Sequence, residues 1–437
     1  MYDDFNRSAA YIFESRSGVS AQLPRIRRRI QIRCIERDKE RWMTIKVGVV
    51  IDPWDFPFNG TVVSTRRFVA ALNGQVEFRL LATPSPEAVG DSPNHLLTDP
   101  LTDPLTGPCI EPFPKLSIPG FNGIIDSMKV PLSNPWASDA DVDKALAGLD
   151  LVHVQFPFFL GYAVCRAANR LGLPLICSFH VQPENLMRNL GLESDWMVRW
   201  MYKLFIWGLY NRAELVLTPS QFAAEQLQKH GLIKPVSVLS NGVPDEFFKL
   251  DRLSTGNDRL QLLSVGRLAP EKHQRTILEA VARSRFRDQI DIQLIGTGPL
   301  QQELENHAQR LGLDAAIGPV GDEALRQAYR SADLFVHGGE IELEGMSVLE
   351  AMAAGNAILV SDSASSAAVE FVTHPNSLFR QGDAADLTEK IDYWLSDSGA
   401  RTQSGIDNRE RAATRHHQQS VDQLLGIYER HSLSRAQ

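Results

Sequence analysis

Two doubly wound α/β domains in tandem are predicted by three features of this sequence. Apolar runs of strand length, such as IKVGVVID (45–52) and LQLLSVGR (260–267), alternate with stretches of helical spacing. The alternation runs twice, interrupted by the turn-rich, polar segment 241–258. A length of 437 residues also exceeds what one core fills.

The first strand, 45–52, is an apolar run broken only by Lys46 and ending in Asp52, the look of a parallel strand buried on both faces. A loop, PWDFPFNGT, precedes VVSTRRFVAAL, whose Val62, Phe68, Val69 and Leu72 share a helical face, and VEFRLLAT reads as the next strand. Residues 84–147 carry less pattern, and LLTDPLTDPLTGP (96–108) is a short Pro-rich repeat expected at the surface. The strand LDLVHVQFP, the helix FFLGYAVCRAANRLG and the strand PLICSFH follow, the last ending on His180. An aromatic helical region at 184–212, the strand AELVLTPS, the helix QFAAEQLQKHG and the strand VSVLSNG complete the first half.

In the second half, LQLLSVGR, IDIQLIGTGP, DLFVHGG and AILVSD read as strands. Between them, EKHQRTILEAVARS, LQQELENHAQRLG, EALRQAYRSA and GMSVLEAMAAG read as helices, with a final helix near 408–431. The expected organisation is a basic extension at 1–43, a first domain at 44–245, a second at 246–407, and a terminal segment, 408–437, placed to pack back on the first domain.

Composition is that of a globular chain, 43% hydrophobic and 22% charged, and the net charge of −8 gives no electrostatic case for nucleic acid. Residues 1–43 differ: ten basic and six acidic residues give 10 − 6 = +4. Met43 reads as an alternative initiator. Otherwise 1–42 is a basic arm, solvated or touching anionic headgroups. Cys34, Cys109, Cys165 and Cys177 show no CxxC spacing, which speaks against zinc and a disulfide framework and fits a reducing cytosol. No apolar run reaches the length of a membrane span.

In doubly wound sheets, ligands sit beyond the carboxyl ends of the strands. Arg267 follows a strand there, and Lys272 opens the next helix in this reading. Two cations at a helix N-terminus suit a diphosphate. Gly296 and Gly298 mark another strand-to-helix turn, either a close approach to ligand or a structural turn. In ELEGMSVLEAMAAG (342–355), Glu342 and Glu350 would lie about 12 Å apart were the stretch helical. That spacing suits a ligand with hydroxyls at two ends and an anion between them, such as a nucleotide-sugar. The alternative is solvated loop residues at Glu342 and Glu344 and a helix-favouring Glu350.

GRLAPEK, the E-x7-E spacing and LEAMAAG together resemble family-4 retaining glycosyltransferases of the GT-B fold, in which two Rossmann-like domains face across a cleft. NGTVVSTRRFVAAL, SFHVQPEN, LTPSQFAAEQL and VSVLSNGV follow the family's order, so the resemblance covers 45 to about 430. The variant ELEGMSVLEAMA is similar to bacterial members that glycosylate lipids. The resemblance implies that Arg267 and Lys272 bind and stabilise the donor diphosphate, Glu350 the ribose, and Glu342 the donor sugar. It implies that the backbone at Gly345, Met346 and Ser347 faces sugar or phosphate. His180 would lie near the reacting sugar, and Gly60 would let the backbone approach donor phosphate and acceptor. No metal or other cofactor is implied. Gly338 and Gly339 stand where the family often has Ser, and Asn356 and Ala357 where it often has Pro.

The expected activity is retaining hexosyl transfer from a nucleotide-diphosphate sugar to a hydroxyl acceptor, either a membrane lipid such as diacylglycerol or a polysaccharide or soluble molecule. A nucleotide-sugar epimerase of the same fold and a silent donor-binding subunit are the alternatives. Trp196, Trp200, Leu204 and Trp207 fall on one helical face, either a membrane interface or the face of a buried core helix. The implied location is cytoplasmic, with peripheral contact at the inner face of the membrane.

Overall fold

A computed structural model describes residues 44–52, 54, 60–83, 109–114, 139–189, 191–192, 194–250 and 259–433. Expectations for 1–43 (with Cys34), for 55–59, for the repeat 96–108 and for 251–258 lie outside them. From Ile45 on, the described residues belong to one compact unit, Ile45–Gln437.

The described residues form two parallel sheets. The first contains β1 (Ile45–Val50), β2 (Val76–Ala82), β3 (Cys109–Pro112), β4 (Leu151–Val154), β5 (Leu175–Ser178), β6 (Leu215–Thr218) and β7 (Val236–Val238), in the order β3-β2-β1-β4-β5-β6-β7. The order reverses direction at β1, so the crevice beside β1 and β4 is a topological switch point. The second sheet has the order β10-β9-β8-β11-β12-β13. Its strands are β8 (Leu260–Val265), β9 (Ile290–Ile295), β10 (Ala315–Gly318), β11 (Leu334–His337), β12 (Ala357–Ser361) and β13 (Leu378–Phe379). It switches between β8 and β11. The edge strands β3, β10 and β13 are too short to show a pattern in the sequence.

Helices cover both sheets. In the first lobe these are α1 (Gly60–Ala71), α2 (Asp139–Leu146), α3 (Phe159–Leu171), α4 (Pro183–Asn189), α5 (Asp195–Gly208) and α6 (Gln221–Lys229). The aromatic region read as one stretch is therefore two helices. After the short α7 (Asp245–Phe248), the second lobe carries α8 (Gln274–Arg283), α9 (Gln301–Arg310), α10 (Asp322–Ser331), α11 (Met346–Ala353), α12 (Ala384–Ser396) and α13 (Ser398–Ala412). The final helix expected near 408–431 is interrupted: α13 ends at Ala412, and α14 (His417–Leu433) follows a turn. Val421, Leu424, Ile427 and Tyr428 of α14 pack among Val47, Val49 and Leu80 of the first lobe. Tyr428 also bonds His153 Nδ1 through its hydroxyl at 2.7 Å. Cys165 and Cys177 are buried core thiols.

Candidate active site

The second lobe supplies most of the charge. The chain leaves β8 at Gly266 and makes a 3-10 turn, Pro270–Lys272, so α8 begins at Gln274 and not at Lys272. His273 between them takes a left-handed conformation, φ 50°. The turn folds the Lys272 side chain back over Gly266 and into contact with the Glu342 carboxylate. His337, at the end of β11, reaches the same Glu342 oxygen at 3.2 Å. Burial pushes the Glu342 carboxyl up, but the Lys272 ammonium and the His337 hydrogen bond outweigh it and hold it at about 2. The Arg267 guanidinium is exposed and bonds the buried Glu271 at 2.7 Å.

Glycines explain how tightly this is built. A methyl at Gly339 would overlap the His337 ring, and one at Gly338 would lie 2.8 Å from the Lys272 carbonyl oxygen. A side chain at either position would press on groups that surround the ion pair, so the two glycines fit this site. Asn356 is also accounted for. Fully buried, its amide donates to the carbonyls of Tyr329 (3.0 Å) and Ala332 (3.1 Å), closing the end of α10.

Gly296 and Gly298 serve structure. Methyls there would overlap the carbonyl oxygens of Gly266 and Leu268, and the two turns are joined by Leu268 N–H to Thr297 O at 2.9 Å. Gly298→Ala is therefore expected to displace the turn carrying Arg267. It should cost about 1–3 kcal/mol of stability, read by chemical denaturation, and weaken nucleotide binding in parallel.

Gly345, φ 88°, caps the N-terminus of α11. A side chain there would crowd Ala368. The first-turn amides of α11, those of Met346 and Ser347 among them, lack intrahelical acceptors and form an anion-favouring end. Across the cleft, Gly60 opens α1, and a Cβ built there meets the Met346 sulfur at 4.0 Å. Glu350, in the second turn of α11, accepts from the Tyr329 hydroxyl at 3.1 Å and faces Arg67 of α1 at 3.4 Å. Burial raises its pKa against the pull of Arg67.

His180 lies two residues beyond β5 and lines a cavity in the first lobe with Gln155, Thr218 and Asn241. Burial lowers its pKa to about 4, so the ring is neutral near pH 7. Lys272 and Glu342 are thus in contact, and Gly60 adjoins Met346. Arg267 is directed to Glu271, and His180 stands on the first-lobe side.

Several residues here have no motif to mark them. Arg188 of α4 forks onto Glu340, one bond measuring 2.7 Å, and His273 bonds the same carboxylate at 3.1 Å. The Arg188 pair outweighs burial and holds Glu340 at about 2. Glu344 is buried, not solvated. It accepts from the Ser240 hydroxyl and from the Asn241 side-chain amide at 2.6 Å and backbone amide at 3.2 Å. Gln182 to Ser365 O (3.0 Å) and Phe222 N to Glu370 (2.7 Å) add further links between the two carboxyl edges. Among the described residues, no group of three His, Cys, Asp or Glu stands together as a metal site.

The sequence of each lobe matches a family model. Residues 58–247 match Glycosyltransferase Family 4, and residues 246–411 match Glycosyl transferases group 1. The chain belongs to the family 4 glycosyltransferases. It is 28% identical over 288 residues to a GDP-mannose-dependent alpha-mannosyltransferase of Mycolicibacterium smegmatis, covering 64% of this chain and 73% of the relative. It is 24% identical over 230 residues to the alpha-monoglucosyldiacylglycerol synthase of Streptococcus pneumoniae, covering 48% of this chain and 51% of the relative. With the latter relative the match spans about half the length. The crystal structure of Anabaena HepE in complex with UDP and glucose superposes with a TM-score of 0.66 at 17% identity, covering 88% of this chain and 98% of that one. The fold is thus GT-B, and this glycosyltransferase is an enzyme of that architecture.

Proposed function

We propose that this glycosyltransferase moves a hexose, with retained anomeric configuration, from a nucleotide-diphosphate sugar to a hydroxyl of a membrane lipid. The observation that carries donor binding is the Lys272–Glu342 pair beside the N-terminus of α11. A cation, a carboxylate and free helix amides lie where the carboxyl ends of the second sheet converge.

In this reading the sugar C1–O bond breaks, and the electron pair leaves with the diphosphate. Lys272, Arg267 and the α11 amides stabilise the developing charge. Glu342 orients the sugar hydroxyls, and Glu350 accepts from the ribose. The acceptor oxygen attacks C1 from the face the diphosphate leaves, and its proton passes to a leaving-group phosphate oxygen. Neutral His180 donates or accepts a hydrogen bond near the reacting sugar. Gly60 leaves room for donor and acceptor beside Met346. The cations take the charge-neutralising role, so no metal is required. The relative named for diacylglycerol glycosylation supports the lipid acceptor, and peripheral contact with a membrane follows from such an acceptor. No described helix is long and apolar enough to cross one.

The test is mass spectrometry of co-purified nucleotide-sugar, then transfer of labelled UDP-glucose and GDP-mannose into lipid extract with EDTA present. Labelled lipid whose α-linkage matches the donor is expected. Epimerised or hydrolysed donor with no labelled product would contradict the proposal.

A further inference from the structure

We infer that the outer face of α5 is a docking surface for an anionic lipid bilayer. This deepens the lipid-acceptor reading and rests on it for its purpose, though not for its test.

Every third or fourth residue of α5 points outward: Trp196, Arg199, Trp200, Lys203, Leu204 and Trp207. The three tryptophans are 63%, 54% and 71% exposed and Leu204 37%, which rejects the buried-core reading of this face. The opposite face is fixed, with Tyr202, Phe205 and Ile206 buried among first-lobe core residues. Rigid, solvent-facing indoles interleaved with cations match the interfacial zone of a membrane, where indole rings sit at headgroup level and Lys and Arg meet lipid phosphates.

Charge selects the occupant. Arg199 and Lys203 stand within the stripe, and Arg212 lies over the Trp207 ring at 5.6 Å. This basic patch sits on a chain of net charge −8. A second copy of the chain would bring the same cations against each other, whereas anionic headgroups complement them. The face is also close to the chemistry. Tyr202 packs its ring on Phe179, the neighbour of His180, at 6.2 Å between centroids. Its hydroxyl bonds Glu184 of α4 at 3.0 Å. A bilayer on α5 thus lies one helix layer from the His180 loop.

The test uses the full chain with vesicles of phosphatidylcholine alone or mixed with phosphatidylglycerol. Co-sedimentation with the mixed vesicles, weakening with salt, is expected, together with a blue shift of tryptophan emission. Trp200→Glu/Trp207→Glu should reduce binding at least about tenfold, and Arg199→Glu/Lys203→Glu should abolish the preference for phosphatidylglycerol. Circular dichroism and nucleotide binding of both variants should be unchanged. Equal sedimentation of wild type and variants overturns the inference, as does a wild-type dimer by light scattering that the tryptophan variant dissociates. Transfer to lipid in detergent micelles is measured in parallel. Its absence in the wild type counts against the proposed function, and its persistence without vesicle binding counts against docking alone.

Discussion

Lys272→Ala is expected to lower kcat/KM for the nucleotide-sugar by about 10³-fold, on the order of 4 kcal/mol of transition-state stabilisation. The reason is location. The ammonium is largely shielded from water, in contact with Glu342 and adjacent to the α11 N-terminus. Charge developing on a leaving diphosphate there has little solvent to screen it. Removing Lys272 also leaves Glu342 buried with His337 as its remaining close partner, so the carboxyl pKa rises from about 2. The loss should appear mainly in kcat, because the interaction strengthens as the bond breaks. Single-turnover kinetics checks this, with thermal unfolding as a control. Unchanged turnover would remove Lys272 from the chemistry.

Glu344→Gln is expected to change the pH dependence of stability near neutral pH. Burial pushes the Glu344 carboxyl up to about 7, against hydrogen bonds from Ser240 and Asn241 and the more distant charge of Arg415. A folded-state pKa above the unfolded value means that its favourable contribution is complete below the ordinary carboxylate range. That contribution is lost as pH rises through about 7. Between about pH 5 and about pH 8 the wild type should lose about 2 kcal/mol from this group. Glutamine does not titrate, so the stability difference between variant and wild type should move in the variant's favour over that interval. Glu340 and Glu342, held at about 2, contribute oppositely and only at acid pH. Urea denaturation across the pH range checks this, and parallel curves for the two proteins would contradict the assignment.

The fold was legible where local pattern is strong. Buried parallel strands such as 45–50 and 260–265 are apolar runs ending in turns, and their order forces the doubly wound arrangement. The E-x7-E spacing and the Arg267–Lys272 loop were legible because each is compact in sequence. Glu344 was not. Its partners Ser240 and Asn241 lie more than a hundred residues away, and a glutamate in a loop has no local signal of burial. Arg67 and Arg188 were missed for the same reason: a single charged residue acquires meaning only from what the other lobe places opposite it. His337 closes an apolar strand, and nothing in that strand marks the Glu342 carboxylate its ring meets. Periodicity in α5 identified the tryptophan face but not its surroundings, because a helical stripe has the same spacing whether a core or solvent covers it.

In the proposed mechanism Arg267, Lys272, Glu342 and Glu350 enclose one activated sugar nucleotide. A crystal structure of the protein grown with UDP or GDP tests it most directly. The diphosphate is expected against Lys272, Arg267 and the first turn of α11, with the ribose hydroxyls on Glu350. A nucleotide bound in the first-lobe cavity, with those four side chains untouched, would contradict it.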